Sequence, residues 1–189
     1  MSANEFLIRN TLPEELDQYI EVLERAASWM EANNLRQWIP GTFRQDEARS
    51  HIRSAIQNQT SYVVIHNPTS TIAAIFALNY EDPFDEMLWA HYAQDWKDAI
   101  YVHRLVVEAD FQGRGIVPQI LQFTEALVAP KGKHYLRLDC RGNNPRLRQF
   151  YREKCRGKEL GGLAEMGTYT NPATGINYAR FERLVVPLE

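Results

Sequence analysis

The chain has 189 residues, 44% hydrophobic and 24% charged, with a formal net charge of −3. That length suits a single domain, residues 1–189, with a substantial buried core. The faintly acidic balance gives nucleic acid no electrostatic footprint, and no apolar run reaches membrane-spanning length.

At the start of the chain, Met1-Ser2-Ala3-Asn4-Glu5 lacks the basic and apolar regions of a signal peptide. Residues 6–9 read as a short strand. Residues 13–34 read as a helix: Pro13 suits its first turn, Glu14, Glu15 and Asp17 suit its positive end, and Leu16, Ile20, Leu23, Ala27 and Met30 recur at helical spacing. Asn33-Asn34 is a stop signal. A loop over 35–43 carries Trp38, Pro40 and Gly41, and a second helix covers 46–58. Strands over 61–66 and 71–80 flank the turn residues Asn67-Pro68-Thr69-Ser70. Further on come a strand over 99–107, a helix over 118–129, a strand over 134–140, and a helix over 145–155 with Asn144 as cap and Pro145 at its first position. Strands over 168–171 and 178–186 close the chain. The order β-α-α-β-β-β-α-β-α-β-β, with strands and helices alternating in its second half, predicts an α/β (mixed α+β) fold with a mixed sheet covered by helices. Cys140 and Cys155 lack metal-ligand spacing and read as free thiols of a cytoplasmic protein; a disulfide between them stays open, and no metal site is expected.

The most informative stretch is 105–117. The β-branched run Leu105-Val106-Val107 gives way to Glu108-Ala109-Asp110-Phe111, then Gln112-Gly113-Arg114-Gly115-Ile116-Val117, then a helix. Strand, glycine loop and helix together present unpaired N–H groups and the positive end of a helix dipole to a phosphate. Glycine lets a ligand approach the main chain, and Arg114 adds a fixed charge. No Gly-x-x-x-x-Gly-Lys-Ser/Thr and no Gly-x-Gly-x-x-Gly are present, so the common nucleotide loops are excluded. Downstream, a strand over 134–140 leads into Asn143-Asn144-Pro145 and Arg146-Leu147-Arg148-Gln149-Phe150-Tyr151.

These two stretches resemble the GNAT acetyltransferase superfamily. Gln112 to Val117 is similar to its motif Gln/Arg-x-x-Gly-x-Gly/Ala, departing at Val117, where the family has Gly or Ala. Asn144, Leu147, Phe150 and Tyr151 fall in register with its Asn-x-x-Leu-x-x-Phe-Tyr. The resemblance is strong over about 99–156 and elsewhere matches in order of elements. It implies a GNAT-like central mixed sheet of about six to seven strands with helices on both faces. It further implies an acetyl-CoA-dependent N-acetyltransferase that moves an acetyl group to a primary amine, on a small molecule or a peptide, directly in a ternary complex. A larger acyl-CoA donor, or a CoA-binding regulatory module without turnover, is the alternative.

The resemblance assigns coenzyme A to Leu105, Val106 and Val107, along which the pantetheine arm pairs, to Gln112, Gly113, Arg114, Gly115, Ile116 and Val117, and to Asn144, Phe150 and Tyr151. Tyr151 is the implied acid for the leaving thiolate, since a phenol stays protonated at neutral pH. The acceptor amine also needs a base. Histone-modifying members place a glutamate six residues before Val107, where this chain has Tyr101. His103 shares that strand face and has a suitable ordinary pKa. Asp139 is a second candidate, and Glu81 and Asp82 acting through water are a third.

Residues 81–98 hold Glu81, Asp82, Asp85, Glu86, Asp95 and Asp98 against Lys97, with Phe84, Trp89, His91, Tyr92 and Trp96 interleaved. Two readings stand. One is an acidic, aromatic wall that attracts a cationic amine; the other is a short helix whose aromatics fill the core. On the first, Trp38, Glu81, Asp82, Tyr101 and Asp139 contact the acceptor. The oligomeric state stays open, a homodimer included.

Overall fold

A computed structural model describes residues 5–35, 37–93, 95–153, 155 and 163–185. In chain order these form β1 (Phe6–Asn10), α1 (Leu16–Ala32), α2 (Asp46–Gln57), β2 (Ser61–His66), β3 (Thr71–Asn79), α3 (Pro83–Trp89), β4 (Ala99–Val107), α4 (Ile116–Val128), β5 (Tyr135–Arg141), α5 (Pro145–Glu153), β6 (Ala164–Thr170) and β7 (Asn177–Leu184). The seven strands make one mixed sheet in the order β1-β2-β3-β4-β5-β7-β6, flanked by helices. The expected order of elements holds, with α3 added between β3 and β4. Lys154 and Cys155 were expected in the last helix and Val186 in the last strand; the helix ends at Glu153, and Lys154 and Val186 lie outside the described residues.

The chain divides into two compact units, Met1–Ala77 with Arg104–Ile116, and Leu78–His103 with Val117–Glu189. In the first, β1, β2 and β3 pair antiparallel. Its core joins Leu16, Tyr19, Ile20 and Leu23 of α1 to Ile52 and Ile56 of α2 and to Val63 and Ile75 of the strands. The helical spacing read in the sequence is therefore the buried stripe of α1. Pro13–Glu15 form a separate 3-10 turn ahead of α1, in which Glu15 accepts from the Leu12 amide (2.8 Å) and pairs with Arg9 (2.6 Å). Asn34, at φ 58, stops the helix in the left-handed conformation that asparagine tolerates. Buried Glu24 accepts from the amides of Gly41 (2.5 Å) and Phe43 (2.8 Å), which fixes the loop after α1.

In the second unit, β4 and β5 run parallel and β5, β7 and β6 antiparallel. The acidic segment contains the short helix α3. Pro83 opens it, the Asp82 carboxylate accepts from the Phe84 amide (2.8 Å), and Leu88 and Trp89 are fully buried on Ala99 and Tyr101. Trp89 therefore fills the core, Phe84 and Trp96 are half-buried, and His91 and Tyr92 are exposed. Two further elements start more than one residue from expectation. Helix α4 begins at Ile116 rather than 118, because Pro118 sits within the first turn, where its missing N–H costs nothing. Strand β6 begins at Ala164 rather than 168, its alternation hidden by the bulge between Glu165 and Thr168 and by Gly167 at φ 77.

Candidate active site

In the first unit, Leu105, Val106 and Val107 are the half-buried end of β4, and Val106 packs on the α1–α2 core. The Glu108 amide bonds to Ala73 (2.9 Å), and its carboxylate pairs with Arg25 of α1 (2.6 Å), so the start of the loop is anchored. Gln112, Gly113, Arg114 and Gly115 are exposed. Gly113 and Gly115 adopt φ 77 and 75, and a Cβ at either would meet nothing within 4 Å. Glycine is required here by backbone angle, and the space in front of the main chain is open. Buried Ile116 starts α4, whose first N–H groups have no intrahelical acceptor. These residues therefore fit a pyrophosphate. The Arg114 guanidinium pairs with Glu5 and lies 5.4 Å from the rings of Phe6 and Phe111.

In the second unit, three side chains expected or overlooked in the sequence come together. His103 Nε2 bonds to Asp85 Oδ1 at 2.7 Å, and its Nδ1 faces Asp139 Oδ1 at 3.9 Å. Asp85 is fully buried, and burial raises its pKa against the pull of the His103 hydrogen bond. Burial likewise pushes Asp139 up to about 6, opposed by His103 and Arg141. The short bond holds the ring through Nε2, with the hydrogen on the imidazole or on the carboxyl according to the tautomer. The separation from Asp139 is too long for a direct hydrogen bond, and a bridging water or ammonium can close it. The strand itself changes at this point. Pairing of β4 with β5 runs from Ala99↔Tyr135 to Val102↔Leu138, and Arg104 then takes φ 51, an uncommon angle for a residue with a side chain.

Asp85 was not singled out as a partner of His103, although the signal was present. It lies three and four residues before buried Leu88 and Trp89, on the helix face that turns inward. Arg137 was missed as well. It is buried, pairs with Glu182 (2.7 Å) and Asp95 (3.2 Å), and donates to the Tyr101 hydroxyl (3.2 Å).

Tyr101 itself must be withdrawn from the acceptor contacts. It is 0% exposed, and its hydroxyl donates to the Trp96 carbonyl at 2.5 Å. The acidic wall is also largely engaged elsewhere: Asp82 caps α3, exposed Glu81 lies 3.6 and 3.7 Å from Lys97 and Lys133, and Asp98 pairs with His134 (2.8 Å). In the first unit, Trp38 packs edge-on against Phe43 (5.3 Å) over the α1–α2 core.

Tyr151 on α5 is buried between Phe150 (5.7 Å) and Phe181 (5.3 Å), and burial holds its phenol far above the ordinary tyrosine range. Asn144 is the cap expected of it, accepting from the Leu147 amide (3.1 Å). Half-buried Phe150 lines a hollow of about 270 Å³ on α5 with Arg146, Gln149 and Glu153. Val117 is half-buried in the first turn of α4. Cys140 and Cys155 are free, buried and pushed up to about 12 by burial, which makes both thiols inert. Among the described residues, no helix is long and apolar enough to cross a membrane.

Comparison with known proteins supplies an independent view. The chain is 27% identical over 140 residues, 74% of each sequence, to the uncharacterized N-acetyltransferase YesJ of Bacillus subtilis (strain 168). Its fold is similar to a GNAT-family acetyltransferase of Listeria monocytogenes (TM-score 0.70, 21% identity, 95% of each chain). It is also similar to the yncA acetyltransferase of Salmonella typhimurium, solved with its cofactor acetyl-CoA (TM-score 0.63, 11% identity, 99% of this chain and 97% of that one). The model of the acetyltransferase (GNAT) family matches residues 23–157, and with that match the chain belongs to this family of acetyltransferases.

Proposed function

We propose that residues 1–189 act as a single cytoplasmic acyltransferase that moves an acetyl group from acetyl-CoA to a primary amine by direct transfer. The observation that carries this reading is the Asp85–His103–Asp139 cluster. It offers a base to an amine, the one requirement that the family's usual strand glutamate does not meet here. When bound, acetyl-CoA supplies the activated thioester. Backbone amides of Gly113 to Val117 would hold its pyrophosphate, with Gln112 and Arg114 at the loop and Leu105 to Val107 offering main-chain groups to the pantetheine arm. Asn144, the cap of α5, and Phe150 and Tyr151 within it are the other residues that the family resemblance assigns to coenzyme A.

His103 Nδ1 removes the proton that makes an ammonium non-nucleophilic, and Asp85 holds the ring in the tautomer that allows it. Asp139 is the charge that stabilises the imidazolium so formed. Tyr151, kept protonated by burial, is the proton source for the departing sulfur.

The test is melting with and without acetyl-CoA, followed by thiol release with amines. Acetyl-CoA at about 100 times Kd should add roughly 2.7 kcal/mol, on the order of 5–10 °C for a domain of this size. Tyr151→Phe should keep that rise and slow thiol release. A rise without thiol release from any amine would favour a CoA-binding regulatory module. Release only from longer acyl-CoA donors would favour a larger acyl group. No rise would remove the cofactor.

A further inference from the structure

The His103 side chain is 15% exposed and that of Asp139 13%. An acceptor nitrogen that meets both must therefore bring its substituent against the groups beside them. Two half-buried aromatic rings stand there. Phe84, in the first turn of α3, lies edge-on to the His103 ring (5.8 Å) and to the Tyr178 ring (5.6 Å). Tyr178 is two residues from Arg180, the register partner of Asp139, and so shares the Asp139 face of the sheet. Burial raises the Tyr178 phenol above its ordinary value, Arg141 opposes the rise and the charge of Asp139 adds to it. Both rings are held in place. The Asp82 carboxylate fixes the Phe84 amide (2.8 Å), and the Arg141 guanidinium packs on the Tyr178 ring (5.6 Å).

The carboxylates of the segment between β3 and β4 are meanwhile engaged. Asp82 caps α3, Asp85 bonds to His103, Asp95 pairs with Arg137, Asp98 with His134, and Glu81 lies near Lys97 and Lys133. Glu86 is exposed, but helix positions two apart do not share a face, so it is turned away from Phe84. Asp139 can receive one ammonium. A second would find no open carboxylate in this segment, and the cation that stacks on Tyr178 is already Arg141.

Resting on the amine-acetylating reading above, we propose that the acceptor is a monoamine with an aromatic substituent, and that Phe84 is its specificity-determining residue. The ammonium meets His103 and Asp139, and the ring packs against Phe84 and Tyr178 in the offset or edge-on contacts that aromatic groups prefer. Polyamines are disfavoured because their second charge goes unpaired.

The experiment measures thiol release at saturating acetyl-CoA and one pH for two pairs of amines, 2-phenylethylamine beside ethylamine and butylamine beside 1,4-diaminobutane. The expected kcat/KM is about 30-fold or more higher for the aromatic amine, and about tenfold or more higher for butylamine than for the diamine. Phe84→Ala should lower the first ratio by about tenfold, chiefly through the KM of the aromatic amine. Phe84→Leu, which keeps most of the volume, should retain part of it. A general loss of structure would lower both members of a pair together, and melting temperatures of the two variants check the fold. Equal or better turnover of ethylamine or of the diamine, or a first ratio unchanged in Phe84→Ala, overturns the proposal and leaves the N-acetyltransferase reading standing. Thiol release from no amine, with the acetyl-CoA melting rise intact, overturns both.

Discussion

At Gly113 and Gly115 the main chain is the working surface. Both residues sit at positive φ in open space, flanked by exposed Gln112 and Arg114. At His103 the reverse holds. The main chain is a strand that departs from regular sheet only at Arg104, and the chemistry comes from three side chains, with a 2.7 Å bond to a carboxylate that is 0% exposed. A backbone site is damaged by altering an angle, and a side-chain cluster by altering an atom or a proton. The two regions should therefore fail in different ways.

The largest effect is expected at His103. His103→Gln keeps an N–H donor for Asp85, so the buried carboxylate is not left alone, but it removes the base. Thiol release should fall by about 10²–10⁴-fold while the melting rise with acetyl-CoA persists. A loss of less than about tenfold would move the base elsewhere and weaken the contrast.

Asp139 should give the next largest effect, read in pH. Its carboxyl titrates at about 6 in the fold against an ordinary value of 3.8, so between those values the folded chain keeps a proton that the unfolded chain has released. Its contribution to stability is therefore complete below the lower value and is lost as pH rises through about 6. Asp139→Asn should be more stable than the parent at pH 8 by roughly 3 kcal/mol at most, with no gain at pH 4. Its activity should lose the rise that the parent shows near pH 6, a rise belonging to the His103–Asp139 pair rather than to one group. Paired melting curves and pH–rate profiles check both halves.

The smallest effect is expected in the loop. Gly115→Val forces a β-branched residue to φ 75 and should cost about 1–2 kcal/mol, read as a rise of about 5- to 30-fold in the acetyl-CoA Kd. Thiol release at saturating cofactor should change little. A large fall in kcat there, with Kd unchanged, would show that the loop takes part in the chemistry.

The same contrast explains what could be read from the residues in order. Everything governed by local rules was legible. The stripe Leu16-Ile20-Leu23-Ala27 gave α1, Asn144-Pro145 gave the start of α5, and the run from Leu105 through Gly115 gave strand, loop and helix, because propensity, capping and the angles open to glycine act over a few residues. The mixed sheet followed from the order of elements, and its size of about six to seven strands from the family resemblance. The side-chain cluster was only half visible. His103 and Asp139 could be named as candidates, but 36 residues separate them in the chain, and only the parallel pairing of β4 with β5 brings them to 3.9 Å. Asp85 looked like one carboxylate among six, and Tyr101 like an acceptor contact, until α3 folded over the sheet, buried both, and gave Asp85 to His103 and the Tyr101 hydroxyl to Trp96. Sequence alone determined where the backbone turns and which stripes are apolar, since those depend on neighbours in the chain. Which charges are buried, which carboxylate His103 meets and where Asp139 titrates depend on desolvation and on partners far away in sequence, and the tertiary structure alone decided them.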